Sequence, residues 1–398
     1  MHKMQPLCSI IIPVLNQCRY TRQCLEFLFR SSVDSSFELL LVDNGSTDET
    51  AKLFDEYEER YAQVRSIRFP ENRGFSIANN VAAEQASGDY LIFLNNDTIP
   101  THGWLAALVE AARLEGVGAV GSKLVYPHSN SINHAGYVYN QEMRDYYPIY
   151  HGFWSENPVV NKQREYQALL GAALLVERKL FQHIGGFADY GLEDIDLCLK
   201  VREQGRRVVY CPRSKVYHYG SITLGNTPPS FMPMRTNAHF KQRWPYSERL
   251  WDDLKYYQED GFEIEVLPSK EIRLWRKDNP ALQISIQAEQ AVKRGDFKQA
   301  LQLAQEACDH DPRSRELRML RTGILSKLGD QWAKINSIME IITLDPLYFE
   351  GYLLAAQALI GLGHPQEASR LLEAALSSEY LPFDVREAAQ ALQEKLAQ

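Results

Sequence analysis

Four times in the first hundred residues, a short apolar run stops at a cluster of polar side chains and gives way to a pattern of helical period. Residues 9–14 precede Asn16 and Gln17, then a segment in which Cys24, Leu25, Leu28 and Phe29 share a face. Residues 38–42 run into Asp43, Asn44, Gly45, Ser46, Thr47 and Asp48 before a helical stretch over 49–61. Residues 64–69 lead to Asn72, Arg73 and Gly74 and a helix over 76–86, and residues 89–94 end at Asn95, Asn96 and Asp97, with a helix over 101–113. Strand, polar tip and helix in repeated alternation predict an α/β fold, a mostly parallel sheet with crossover helices. Sheets of that kind bind ligands beyond the carboxyl ends of their strands, so the tips are where function is expected.

Each tip taken alone has a plainer reading. Ser, Thr and Asp cap helices, and Asn-Asn-Asp is turn-forming. Three tips nevertheless carry groups that a nucleotide needs: the loop from Pro13 to Asn16, the carboxylate of Asp43, and the oxygen-rich cluster at 95–97. Together they mark one edge of one sheet.

Five stretches in order carry a family resemblance: Ser-Ile-Ile-Ile-Pro-Val-Leu-Asn at 9–16, Val-Asp-Asn-Gly-Ser-Thr-Asp at 42–48, Asn-Arg-Gly-Phe at 72–75, Asn-Asn-Asp at 95–97 and Glu-Asp-Ile-Asp-Leu at 193–197. Over residues 7–225 the chain resembles the family 2 glycosyltransferases of the GT-A fold, whose catalytic domain is Rossmann-like. The resemblance implies that Pro13, Asn16 and Asp43 hold the nucleoside of a nucleoside-diphosphate sugar, uridine or thymidine by preference. Arg73 then lies near base or phosphate, with Asn95 and Asn96 beside the donor. Asp97 matches the last position of the family's D-x-D metal motif. Asn95 stands where the first acid is usual, and one carboxylate instead of two weakens the hold on a hard cation such as Mn2+ or Mg2+. The alternative is that Asp97 positions a ribose hydroxyl or a water. His218, in Val-Tyr-His-Tyr-Gly at 216–220, matches a histidine that closes the metal and diphosphate site in some members.

The same resemblance makes Asp194 the general base and Glu193 its neighbour for acceptor binding or orientation. Inverting transfer requires such a base, because a sugar hydroxyl is a poor nucleophile until its proton is accepted. On sequence grounds alone, acids in a first helical turn are as readily partners of the helix dipole.

Between these motifs, residues 117–125 read as a strand and periodicity then vanishes over 126–167. That segment carries Tyr126, Tyr137, Tyr139, Tyr146, Tyr147, Tyr150, Phe153 and Trp154 among His128, His134 and His151. Such amphipathic rings suit glycan stacking on the acceptor side, or else they pack the loop against itself. Residues 169–177 are a small-residue apolar run leading to a helix through Leu180 and Ile184. Residues 208–211 read as a short strand ending at Pro212, 220–230 as a mobile flap, and 234–257 as a helix interrupted at Pro245 with Phe240, Trp244 and Trp251 as anchors.

From residue 281 the period changes. Gly295, Gly329 and Gly363 lie 34 apart, as do Asp311-Pro312 and Asp345-Pro346, and Ala300, Lys334 and Ala368. That spacing resembles tetratricopeptide repeats, with Lys334 and Ile341 irregular where small residues are usual. An all-α solenoid of this kind implies a protein partner, or a buttress for the enzyme domain. The expected organisation is a glycosyltransferase domain over 1–230, a helical extension over 231–280 and repeats over 281–398.

Charge and cysteine usage bound the rest. Of 43 basic and 51 acidic residues, 31 and 35 precede residue 282, so neither part has the basic excess of a nucleic-acid binder. No apolar run is long enough to span a membrane. Six cysteines without a C-x-x-C pair suggest reduced thiols and a cytoplasmic protein, with peripheral association to the inner face of the membrane through partners as the alternative. The acceptor is then a glycan or glycosylated protein. Two other classes stay open: a sugar nucleotidyltransferase, which would want a Gly-rich basic loop after the first strand where this chain has Pro13 to Asn16, and a catalytically inactive nucleotide-sugar-binding module on a repeat scaffold.

Overall fold

The computed structural model describes residues 7–32, 36–140, 142–188, 191–220, 238–245, 252–267, 269, 272–276 and 279–397. The chain divides into two units, residues 1–126 with 132–253 and residues 127–131 with 254–398.

The first unit is organised on a ten-stranded sheet. Its strands are β1 (Cys8–Val14), β2 (Phe37–Asn44), β3 (Val64–Phe69), β4 (Tyr90–Leu94), β5 (Thr98–Pro100), β6 (Val117–Val125), β7 (Ile132–His134), β10 (Arg164–Glu165), β11 (Ala173–Glu177) and β12 (Arg207–His218); β8 (Tyr137–Asn140) and β9 (Asp145–Pro148) pair separately. The main order is β10-β12-β6-β11-β4-β1-β2-β3, with β5 against β12 and β7 against β6. β1 lies parallel to both β2 and β4, and β2 parallel to β3. Because both faces of β1 are covered, its sequence is apolar almost throughout, with Ile10, Ile11 and Ile12 fully buried.

The crossover helices are α1 (Cys18–Ser31), α2 (Thr50–Arg60) and α3 (Phe75–Gln85), followed by α4 (Trp104–Ala112), α5 (Arg178–His183) and α6 (Glu193–Glu203). Cys24, Leu25 and Leu28 of α1 join Ile10 and Ile12 of β1 and Ile92 and Leu94 of β4 in one core. The expected helical face of α1 is therefore the buried one.

The sheet is mostly parallel, as expected, and is mixed where β11 runs antiparallel between β4 and β6. Two readings of the sequence are corrected. The strand expected to stop before Pro212 continues to His218: its register against β6 jumps between Cys211 and Lys215, and the bulge takes up a proline that has no N–H for a ladder. Residues 126–167 are not without regular structure, since they hold β7, the β8–β9 hairpin, a 3-10 turn (Pro158–Asn161) and β10.

Within the expected helix over 234–257, the described parts are α7 (Ala238–Arg243), which ends before Pro245, and α8 (Asp253–Glu259). Trp251 and the expected flap beyond Gly220 lie outside the described residues. The stretch expected as a helical extension also contains a hairpin, β13 (Glu263–Val266) with β14 (Ile272–Trp275).

The second unit continues as α9 (Pro280–Lys293), α10 (Phe297–His310), α11 (Arg315–Leu328), α12 (Gln331–Leu344), α13 (Phe349–Gly361), α14 (Pro365–Leu376) and α15 (Phe383–Ala397). This is a helical region consistent with a repeat domain. Gly295, Gly329 and Gly363 sit at the turns inside successive helix pairs with φ of 79°, 77° and 80°, the left-handed conformation that favours glycine. Asp296 and Asp330 then cap the following helices by accepting the N–H groups of Gln299 and Ala333. Arg315 and Asp345 form an ion pair of 3.1 Å with side chains 1% and 2% exposed. Asn130 donates to the other Asp345 oxygen (2.8 Å), and Arg315 donates to the Ser129 carbonyl.

Candidate active site

The first two strand tips are stitched to each other. After β1 the backbone turns through two left-handed residues, Asn16 (φ 59°) and Gln17 (φ 62°). Asn16 receives the Thr47 N–H on its carboxamide oxygen (2.7 Å) and gives its own N–H to Ser46 Oγ (2.8 Å). Asp48 accepts the Cys18 N–H at the start of α1 and the Thr50 N–H at the start of α2. The polar run at 43–48 therefore holds two loops in register, which explains its density of hydroxyl and carboxylate groups.

Asp43 is buried at the end of β2, opposite Val14 of β1, with Oδ1 accepting the Ser46 N–H (2.8 Å). The Asn72–Gly74 turn is fastened to β2 through Asn44, whose carboxamide donates to Asn72 Oδ1 (2.9 Å) and accepts the Arg73 N–H (2.9 Å). Arg73 itself is exposed, its guanidinium 5.3 Å from the centre of the Phe69 ring. Pro13 is half-buried on the same edge. Asn16 thus contributes its carboxamide to loop architecture, whereas Arg73 keeps its charge outward.

At the β4 tip, Asn96 donates to Thr21 Oγ1 (2.9 Å) and the Asn95 carbonyl accepts the Thr98 hydroxyl (2.7 Å). Asp97 and His218 come together across β5 and β12. Thr98 pairs with His218 in the ladder, the Asp97 carbonyl accepts the Tyr219 N–H (3.1 Å), and Asp97 Oδ1 lies 3.4 Å from His218 Nε2. Both side chains are under a tenth exposed.

His218 Nδ1 donates to Asn133 Oδ1 (2.8 Å), and the buried Nε2 has no hydrogen-bond partner among the described residues. A histidine with its far nitrogen so anchored is the usual arrangement behind a metal-bound imidazole. Asp97 and His218, a buried carboxylate and imidazole 3.4 Å apart, are donor types that would suit a divalent cation. Among the described residues there is no cluster of three or more His, Cys, Asp or Glu, so the remaining positions would fall to substrate oxygens and water.

Asp194 is the second residue of α6, which begins at Glu193 immediately after Leu192, whose φ of 56° turns the chain into the helix. One oxygen accepts the Ile195 N–H (2.8 Å) and the other the Gly171 N–H (3.3 Å). Burial, followed by the charge of Glu193, raises its pKa to about 7, in the range where a carboxylate serves as a base near neutral pH. The phenol of Tyr137 feels both Glu193 and Asp194, which add to burial in pushing its own pKa well above the ordinary value. That places one aromatic of the expected acceptor stretch beside the carboxylate pair.

Sequence reasoning missed the segment that joins these parts. Residues 169–172 use their backbone in turn: Leu169 N–H to Cys198 Sγ (3.4 Å), Leu170 N–H to His134 Nε2 (3.0 Å), Gly171 N–H to Asp194, and Ala172 carbonyl from the Asn95 N–H (2.9 Å). It also missed Asp196, buried two residues after the base candidate. Asp196 accepts the Trp244 indole N–H (2.8 Å) and pairs with Lys200 (2.9 Å). The Glu-Asp-Ile-Asp motif thereby divides into half-buried acids at 193–194 and a buried anchor at 196.

The Glycosyl transferase family 2 profile matches residues 9–184. The O-antigen biosynthesis protein RfbC of Myxococcus xanthus is 32% identical over 233 residues, covering 55% of this chain and 18% of that protein. The N-acetylglucosaminyl-diphospho-decaprenol L-rhamnosyltransferase of Mycobacterium tuberculosis is 28% identical over 230 residues, 52% of this chain and 73% of that enzyme. A crystal structure of GalNAc-T7 with UDP, GalNAc and Mn2+ aligns with a TM-score of 0.47 and 18% identity over 54% of this chain and 44% of that one. The chain spans 28% and 18% of the length of two curated relatives that are 33% and 32% identical to it. From β1 through α5, this chain is a glycosyl transferase family 2 domain.

Proposed function

We propose that the domain is an inverting glycosyltransferase that moves a sugar from a nucleoside diphosphate, UDP or dTDP by preference, to a hydroxyl of a glycan or glycosylated-protein acceptor. The observation that carries this reading is the shared segment at 169–172, which bonds both Asp194 and the residue that begins the 95–97 cluster. The names of the O-antigen and rhamnosyltransferase relatives support a glycan acceptor in particular.

In this reading Asp43 and the loop around Pro13 and Asn16 receive the nucleoside, with Arg73, Asn95 and Asn96 along the donor. Asp97 and His218 hold Mn2+ or Mg2+, and when bound the cation supplies Lewis-acid stabilisation of charge on the departing diphosphate. Asp194 accepts the acceptor's O–H proton as that oxygen attacks the anomeric carbon from the face opposite the leaving group. The bond to the diphosphate breaks, and the nucleoside diphosphate leaves with the electron pair. Glu193 raises the proton affinity of Asp194 and faces the acceptor together with Tyr137.

The repeat-like helices are read as the docking unit for a protein partner. Between α10, α11 and α12 lies an open groove of about 510 Å³, lined by Leu301, Leu325 and Ala333 together with Lys298, Arg321 and Glu340, apolar and charged groups suited to an extended peptide.

A panel of nucleotide sugars, screened for thermal stabilisation with Mn2+ present and then for nucleoside diphosphate release, tests the donor assignment. Stabilisation by one UDP- or dTDP-sugar with release on adding acceptor is the expected result. Stabilisation with no release in the presence of a competent acceptor would favour a donor-binding module without activity.

A further inference from the structure

We infer that His134 is a positioning residue for the base: by accepting the Leu170 N–H it fixes the segment whose next amide orients the Asp194 carboxylate. The inference rests on the proposed role of Asp194.

Residues 169–172 lie between the isolated bridge Tyr137↔Ala168 and the first residue of β11, so Leu170 and Gly171 have no ladder to fix them. Their N–H groups go to side chains instead, Leu170 to His134 and Gly171 to Asp194. Of the acceptors on this segment, the Cys198 sulfur is a weak one, which leaves the imidazole as the strong neutral hold immediately before Gly171.

The ring is built for that task. His134 ends β7 opposite Leu124 of β6, is 2% exposed, and meets Tyr137 edge-on at 4.6 Å. Burial, reinforced by His218 and His151, pushes its pKa down to about 3, so Nε2 keeps its lone pair at any working pH. Nδ1 then carries the proton and has no partner among the described residues. A buried donor left bare costs stability, so the bond that this ring makes to Leu170 is the one, among the described residues, that accounts for a histidine here.

Two polar substitutions separate positioning from packing. His134→Gln reaches Leu170 with its side-chain oxygen, whereas His134→Asn stops one methylene short. The Gln variant is expected to keep kcat within about threefold, and the Asn variant to lose about 10–100-fold in kcat with donor Kd unchanged, as for groups that orient a functional side chain. The acid limb of the Asn variant's kcat profile should also move to higher pH. The groups facing Asp194 are Glu193, Tyr137 and Cys198, and the Gly171 N–H is one of the bonds that lower its proton affinity.

Equal kcat and equal pH profiles in the two folded variants would overturn the inference. If the Asn variant does not fold, a folded Gln variant that loses turnover overturns it equally. Asp194→Asn, measured alongside, separates the two levels. Retained turnover there removes the base itself, while lost turnover with matching His134 variants removes only the positioning role.

Discussion

Asp194 and Asn95 are bonded to consecutive residues of one irregular segment: Gly171 gives its N–H to the Asp194 carboxylate, and Ala172 takes the Asn95 N–H on its carbonyl. A helix start late in the domain and a strand tip early in it therefore share one local reference. Gly171 meets the proposed base and Ala172 the proposed donor side, so a shift confined to Leu170 and Gly171 reaches the base alone.

Asp97→Ala tests the cation site. With Asp97 gone, His218 Nε2 is the one remaining protein ligand of the pair, so donor affinity in Mn2+ should fall at least about tenfold while affinity in chelator stays as in the wild type. Titration calorimetry with and without Mn2+ reads both values. Equal donor affinity of the two proteins in Mn2+ would remove Asp97 from metal binding.

Gly45 tests why the second motif needs glycine. Its φ is 85°, and a Cβ there would stand 2.6–2.8 Å from the backbone of Glu71 and Asn72. Backbone cannot give way as a flexible side chain does, so Gly45→Ala must displace the turn that carries Arg73. A loss of about 1–3 kcal/mol in urea unfolding, with weaker donor binding, is the expected outcome.

The raised pKa of Asp194 has opposite consequences for activity and stability. Turnover should rise with pH through about 7 as the carboxylate ionises. In the unfolded chain the group ionises near pH 4, so between about pH 4 and 7 the native state binds the extra proton, and the contribution of Asp194 to stability falls as pH rises. Asp194→Asn abolishes that titration. Its Tm relative to the wild type should therefore climb between pH 5 and pH 8. The raised pKa of Asp252, to about 6, is common to both proteins and cancels in the difference. A pH-independent Tm difference would contradict the raised pKa.

In the helical unit, Arg315→Ala takes from the buried Asp345 carboxylate its guanidinium partner, while the neutral N–H donors of Asn130 and Leu347 stay in place. The expected cost is about 3–5 kcal/mol, measured by denaturant unfolding. A cost below 1 kcal/mol would show that the pair is not buried in solution.

What the sequence made legible was whatever acts through side chains near a strand end. Asp43, Asn95, Asn96 and Asp97 announce themselves because an apolar run cannot continue through carboxylates and amides. The 34-residue spacing of glycines was equally plain, since each marks a left-handed turn. Residues 169–172 were not legible, because their work is done by backbone N–H and C=O groups that Leu, Leu, Gly and Ala all share. Nor was the pairing of Asp196 with Trp244, which depends on tertiary packing between residues 48 positions apart. Pro212 misled because a proline in a strand reads as its end unless the partner strand reveals a bulge.

The most direct test is turnover of Asp194→Asn at saturating donor and acceptor in Mn2+, with donor Kd measured on the same preparation. A fall of about 10²–10⁴-fold in kcat with donor Kd unchanged is the result predicted for loss of the group that takes the acceptor's proton. Wild-type kcat in the variant would contradict it.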